Sequence, residues 1–285
     1  MGRLLKCLFV SVVALAAYAG GVATRDAALY RLTDYWCRGG GCGFDETRDR
    51  EPVECARFGP DAPRTAVLLT AGQSNAANYG QMPIAPRDAV FNFNWFDGRC
   101  YRARDPLLGP DGNGGSVWTR LADLLVARGE YEQVLIVPIA VGGSALRRWI
   151  PGGDLHGRLV ETKLGLDAAG IRVTHVLWHQ GERDAELGTP ADAYTEQFGA
   201  LVGTLRELGI DAPVYPAVAS ACGGPGNESL RAVQRALPLR FEGVQPGPDT
   251  DVLSNFAYRY DACHFSDAGL DAHARLWLEA IWPNG

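Results

Sequence analysis

Hydrophobic and polar positions along the 285-residue chain fall into two regimes. Up to residue 62 no period is sustained, apart from one uncharged apolar run near the start. From Thr65 onward, apolar runs of strand length alternate with stretches of helical period. TAVLLTA, 65–71, reads as a buried strand. AVFNFNWFDGRCYRA, 89–103, alternates and carries Asp97-Gly98 at its centre, which predicts a hairpin. SVWTRLADLLVARG, 116–129, predicts a helix with Ser116 as N-cap and Gly129 as stop. QVLIVPIAV, 133–141, is a second buried strand, and 155–168 reads as a helix. RVTHVLWHQ, 172–180, is a strand, 191–209 an amphipathic helix and 212–220 a strand. Helices follow at 228–237 and 266–282, the last with Ser266 as N-cap.

Strands alternating with helices predict an α/β fold, a parallel sheet covered by helices on both faces. In such sheets, sites form beyond the carboxyl ends of the strands. Here those ends carry Gly72-Gln73-Ser74-Asn75, Gly142-Gly143-Ser144 and His179-Gln180-Gly181-Glu182. Parallel strands bring all three to one edge. No internal repeat or low-complexity tract competes with this reading.

The N-terminal run changes the picture of the first regime. Arg3 and Lys6 precede an uncharged stretch from Cys7 to Thr24, and Ala17-Tyr18-Ala19 fits a small-x-small cleavage site. Two readings stay open, a cleaved signal peptide and an uncleaved membrane anchor; both export the rest. Three segments are therefore expected: 1–24 as targeting segment, 25–62 as an irregular cysteine-containing arm, and 63–285 as the α/β domain that carries the strand-end residues. Outside Cys7 the cysteines are Cys37, Cys42, Cys55, Cys100, Cys222 and Cys263. An even number in an exported chain suggests disulfides, and six cysteines allow fifteen pairings. Cys37 and Cys42 would close a small loop; a Cys222–Cys263 bridge would stiffen the loop that carries His264. No CxxC pair or paired histidines sit nearby, so neither a metal nor another cofactor is expected. The net charge of −6 is spread without a basic block, which argues against a nucleic-acid partner.

A serine needs a base to act as a nucleophile. Of the five histidines, His175 and His179 lie in a strand, and His156 and His273 in helical stretches. His264 sits just before the last helix, three residues after Asp261. A turn of that spacing brings the carboxylate to Nδ1 and leaves Nε2 to take the proton of Ser74. A plain turn with a surface histidine is the alternative. Acyl transfer also needs donors for the developing oxyanion. The candidates are the N–H groups of Ser74 and Gly143 and the side-chain amide of Gln180.

These residues resemble the SGNH hydrolase superfamily, in its sialate O-acetylesterase-like branch, which includes carbohydrate esterase family six. The resemblance rests on four blocks: Gly72-Gln73-Ser74-Asn75; Gly142-Gly143-Ser144 with Trp149; Trp178-His179-Gln180-Gly181-Glu182; and Asp261-x-x-His264. It runs from about residue 65 to 282. It implies a three-layer α/β/α sandwich of flavodoxin-like type and a Ser74–His264–Asp261 triad. It also implies an oxyanion hole from Ser74, Gly143 and Gln180, with Gln180 where the wider superfamily has asparagine. Ala76-Ala77-Asn78 and Arg183 depart from the branch, and both alter the pocket. The rival α/β-hydrolase fold wants Gly-x-Ser-x-Gly, and Ala76 breaks that pattern.

Gln73, Asn75, Trp149, Arg147 and Glu182 are expected to contact the substrate or support the groups that do. Trp149 is either a platform for a sugar ring or core packing; Arg147 and Arg148 either hold an anionic group or form a solvated face. Glu182 and Asp184 are expected to position Gln180 or Arg183, and Asn75 to pin the serine turn. The expected function is an exported serine esterase that removes acetyl groups from a carbohydrate, with possible membrane attachment through the N-terminal segment. A polysaccharide O-acetyltransferase and a glycan-binding protein on a decayed hydrolase fold are the alternatives.

Overall fold

The computed structural model describes residues 47, 49–87 and 89–282. The targeting segment, Cys7, Cys37, Cys42 and the first part of the arm lie outside the described residues. Among the described residues, no helix is long and apolar enough to cross a membrane.

In chain order the strands are β1 (Pro52–Val53), β2 (Thr65–Gly72), β3 (Val90–Asn94), β4 (Arg99–Arg102), β5 (Gln133–Pro138), β6 (His175–His179) and β7 (Val214–Pro216). The α-helices are α1 (Val117–Ala127), α2 (His156–Ala168), α3 (Glu182–Leu187), α4 (Ala191–Glu207), α5 (Glu228–Arg240) and α6 (Asp267–Ile281). One sheet runs in the order β1-β4-β3-β5-β2-β6-β7. The five strands from β3 to β7 in that order are parallel. The expected hairpin turns at Asp97-Gly98, where Asp97 Oδ1 accepts from Arg99 N at 2.9 Å, so β4 is antiparallel to β3. β1 adds a further antiparallel edge. The sheet is therefore mixed at one end. With β1 and the β3–β4 hairpin set aside, the remaining parallel order, β5-β2-β6-β7, follows the flavodoxin-like pattern, and β2 and β6 flank the switch point where ligands bind.

Both faces are covered. Ala66, Leu68, Val134, Ile136 and Leu177 pack in one cluster with Trp118, Leu121 and Leu125 of α1 and Ala274, Trp277 and Ile281 of α6. Spacings of three, four and seven residues put each set on one helical stripe. The intervening strand residues Val67, Leu69, Leu135, Val137 and Val176 are buried too, on the opposite face. The predicted caps form: Ser116 Oγ accepts from Trp118 N at 3.2 Å and Ser266 Oγ from Gly269 N at 3.1 Å.

Some elements differ from expectation. β7 is much shorter than 212–220, because Pro213 and Pro216 lack an N–H for the ladder. The short helix α3 was not predicted; ERDAEL has no apolar stripe, and Gly188 ends it in the left-handed region at φ 64°. The compact body begins at Thr47, so residues 47–62 belong to it. A Cys55–Cys100 disulfide joins this segment to β4, and Phe58 packs on Phe91 with ring centroids 5.1 Å apart.

Candidate active site

The site begins at Gly72, the last residue of β2. Gly72 sits at φ 129°, and a Cβ there would lie 2.0 Å from the carbonyl oxygen of His179. Only glycine lets β2 and β6 approach so closely at their carboxyl ends. Gln73 N then donates to that same His179 oxygen at 3.0 Å. Ser74–Ala76 form a single 3₁₀ turn, closed by Ala77 N donating to Ser74 O at 2.9 Å. Trp118 Nε1 of α1 anchors the turn by donating to Ala76 O at 2.7 Å. Ser74 is 5% exposed.

His264 lies on the loop before α6. Its Nδ1 is 2.7 Å from Asp261 Oδ2. The other carboxylate oxygen, Oδ1, accepts from the backbone amides of Cys263 at 2.9 Å and His264 at 2.6 Å. One carboxylate thus holds both the ring and the backbone that carries it. Facing a carboxylate, Nδ1 carries the proton, and Nε2 is the nitrogen left to accept one. Burial pushes the Asp261 carboxyl up, but hydrogen bonds from the His264 ring and from the His264 and Cys263 amides outweigh it. Asp261 is held below its ordinary value. The turn demands a left-handed residue, and Ala262 adopts φ 67°. Three ties hold it: the Cys222–Cys263 disulfide, Gly223 N donating to Ala262 O at 2.9 Å, and Arg259 Nη1 donating to Cys263 O. The expected Cys222–Cys263 bridge is therefore present.

Asn75 links the two halves. Its Nδ2 donates to Glu182 Oε1 at 2.8 Å and to Cys263 O at 3.3 Å, so the serine turn is tied to the histidine loop. Glu182 was expected to hold Gln180 or Arg183; it supports Asn75 instead. Glu182 Oε1 also meets His179 Nε2 at 3.1 Å. Behind it, His179 Nδ1 is 3.1 Å from His273 Nε2, which accepts from Trp277 Nε1 at 2.9 Å. Burial raises the Glu182 pKa, but the His179 charge and the hydrogen bonds from His179 and Asn75 prevail and bring it down to about 2. His273 is pushed well below its usual range by burial, then by the His179 and Arg259 charges.

The glycine turn after β5 faces the same edge. Ile139 N and Val141 N continue the pairing with β2, to Thr70 O at 2.9 Å and Gly72 O at 3.0 Å. Gly142 N donates to both oxygens of Asp111, at 2.9 and 3.0 Å. Gly143 follows at φ 63°, exposed, with open space where a Cβ would stand. Tyr79 completes this wall. Its hydroxyl donates to Asp111 Oδ2 at 3.2 Å, and its ring stacks on His264 with centroids 5.2 Å apart at 23°. A Cβ on Gly142 would meet the Tyr79 ring and hydroxyl at 2.7–3.0 Å. Burial, followed by the charge of Asp111 and the bond to it, raises the Tyr79 phenol to about 12.

Neither Tyr79 nor Asp111 was singled out by the sequence. Both lie in turn-rich segments without period, and only the fold brings them between the glycine turn and His264.

Two expected site residues are placed differently. Trp149 is 0% exposed, donates from Nε1 to Ser144 Oγ at 3.0 Å and packs edge-on against Trp178. It is core packing, so no sugar ring can rest on it. Gln180 is fully buried, with its Nε2 hydrogens taken by Asp184 Oδ2 at 2.5 Å and Ser144 O at 3.2 Å. Its amide is committed to the glycine turn from beneath, where an oxyanion donor would need a free hydrogen. Asp184 does hold Gln180, as expected, and also accepts from Leu146 N at 2.8 Å. Gln73 is buried, its Oε1 accepting from Arg183 N at 3.0 Å and Gly181 N at 3.4 Å. Arg147 is exposed, while Arg148 makes a two-pronged pair with Asp154 at 3.0 and 2.7 Å. Among the described residues, no group of three His, Cys, Asp or Glu is placed to hold a metal ion.

A buried serine turn, an Asp–His pair and an open glycine turn at one sheet edge suit acyl transfer. The family described as carbohydrate esterase, sialic acid-specific acetylesterase, matches residues 64–270 of the chain. The chain belongs to that family. It is accordingly a carboxylic ester hydrolase, and the match spans every strand of the parallel sheet.

A probable carbohydrate esterase of Arabidopsis thaliana is 28% identical over 202 residues, covering 62% of this chain and 77% of that one. The X-ray structure of the Arabidopsis protein superposes with a TM-score of 0.66 at 22% identity, over 78% of this chain and 99% of that one. An acetylxylan esterase from Geobacillus stearothermophilus superposes at 0.52 and 17% identity, over 79% and 96% of the two chains. At these identities the structures establish the fold, the SGNH-type sandwich.

Proposed function

We propose that this family member is an exported serine esterase that removes O-acetyl groups from a carbohydrate through a Ser74–His264–Asp261 triad. The observation that carries the reading is the tie through Asn75. It fixes the serine turn against the loop on which Asp261 orients the His264 ring.

His264 Nε2 takes the proton of Ser74 Oγ as that oxygen attacks the ester carbonyl carbon. The carbonyl π electrons move to its oxygen, and the N–H groups of Ser74 and Gly143 stabilise the oxyanion. Collapse breaks the bond to the sugar oxygen, which takes the proton from Nε2 and leaves as the alcohol. Water then attacks acetyl-Ser74, giving its proton to Nε2. The second collapse releases acetic acid, and the proton returns to Ser74 Oγ. Asp261 stays ionised throughout and stabilises the imidazolium. Gln180 acts indirectly, holding Ser144 O and so the glycine turn.

Disulfides support export: Cys55–Cys100 and Cys222–Cys263 persist in oxidising compartments. The family description and the relatives' names support a carbohydrate ester as substrate. The test is acetate release from a panel of acetylated sugars and polysaccharides by purified protein. Acetate released faster than butyrate from the matching butyrylated sugars is expected. No acid released from any member would overturn the reading.

A further inference from the structure

We propose that Tyr260 is the platform on which the sugar ring of the substrate rests. The proposal depends on the reading of His264 as the acid that protonates the leaving oxygen. That oxygen belongs to the sugar, so the ring must sit within a few ångström of Nε2 when the bond breaks. Whatever packs the sugar is therefore found beside His264.

The exposed aromatic rings among the described residues are Phe96, Phe256 and Tyr260. Phe96 stacks on Trp95 at the hairpin turn. Tyr260 lies against His264, with ring centroids 6.3 Å apart at 32°. Tyr260 is 45% exposed, whereas Tyr79, on which the histidine stacks, is partly buried. Tyr260 therefore keeps part of its side chain open to solvent beside His264, whereas Tyr79 is more enclosed.

Tyr260 is also held in place before any ligand arrives. Its hydroxyl donates to Tyr79 O at 3.2 Å, and its amide donates to His264 O at 3.0 Å. These bonds fix the ring against the residue that must reach the leaving oxygen, which lowers the ordering cost of binding. Burial and then the charge of Asp261 raise its phenol, so the ring stays neutral at working pH. The C–H face of a pyranose ring is apolar, and a neutral aromatic face is its natural partner. Trp149, the alternative from the sequence, is buried and unavailable for contact.

The test compares two acetate esters, glucose pentaacetate and ethyl acetate, by titrating the acid released. Ethyl acetate carries the same acyl group and no ring. Tyr260→Ala is expected to lower the ratio of kcat/KM for the sugar ester over ethyl acetate by about tenfold, the equivalent of about 1.4 kcal/mol. The loss should appear as a raised KM for the sugar ester. Tyr260→Phe keeps the face and should hold the ratio within about threefold of wild type, about 0.7 kcal/mol. Thermal melting of both variants checks that they fold. An unchanged ratio in Tyr260→Ala overturns the proposal, as does an equal fall in Tyr260→Phe or a wild type with no preference for the sugar ester. Turnover surviving in Ser74→Ala would instead defeat the triad reading, a separate outcome.

Discussion

Replacing Asp261 with asparagine is expected to lower kcat by about 10³-fold while leaving the protein folded. The argument rests on how the carboxylate divides its work. Oδ1 accepts the amides of Cys263 and His264, and an asparagine carbonyl can do the same. Oδ2 faces His264 Nδ1 at 2.7 Å, and an asparagine amide there would donate. Nδ1 must then become the acceptor, which moves the ring proton to Nε2. A protonated Nε2 in a neutral ring cannot take the proton of Ser74. The side chain of Asp261 is 39% exposed, so water softens the loss relative to a fully buried triad carboxylate. Because Asp261 is held below its ordinary pKa, the defect should persist across neutral and alkaline pH. Asp261→Ala loses both functions and should show a lower melting temperature as well. Steady-state kinetics of both variants beside their melting curves measures the split; near wild-type kcat in Asp261→Asn would reject the assigned role.

Ser74→Ala is expected to have the larger effect, a fall in kcat of at least about 10⁴-fold, because no other group forms the acyl-enzyme. The backbone should not change. The turn is held by Ala77 N to Ser74 O and by Trp118 Nε1 to Ala76 O, neither of which uses the serine hydroxyl. Ser74 N–H and Gly143 N–H remain in the variant, so binding of an acetylated sugar should survive the loss of turnover. Calorimetric binding beside acetate release separates the two. Activity within tenfold of wild type would remove Ser74 from the mechanism.

The frame of this site was legible in the sequence because it depends on local signals. The apolar run into Gly72, the Asp97-Gly98 turn and the Ser116 and Ser266 caps each carry a backbone preference of their own. Parallel order then brings the ends of β2, β5 and β6 to one edge, which makes Ser74, Gly143 and Gln180 neighbours. What the sequence could not supply was direction. Gln180 and Glu182 stand at the right strand end, yet their side chains turn inward, to Ser144 O and to Asn75. Trp149 follows the glycine turn and still fills the core; it sits just past the single 3₁₀ turn Leu146–Arg148, where no period says which way an indole points. Tyr79, Asp111 and Tyr260 come from loops. Long-range contacts bring Tyr79 to His264 and Asp111 to Gly142; Tyr260 is four residues before His264, in a turn without a period to set the direction of its ring. The Cys55–Cys100 bridge was one of fifteen pairings. Cys222–Cys263 could be posed in advance because Cys263 adjoins His264 in the chain.

The central claim is that Ser74 carries the acyl group between the two half-reactions. It is tested most directly by acid-quenching the enzyme during turnover of an acetylated ester and mapping its peptides by mass spectrometry. The expected result is one acetyl group on the peptide containing Ser74, present only during turnover and absent in Ser74→Ala. Active turnover with no acetyl on that peptide, or an acetyl group on another residue that turns over at the catalytic rate, would contradict it.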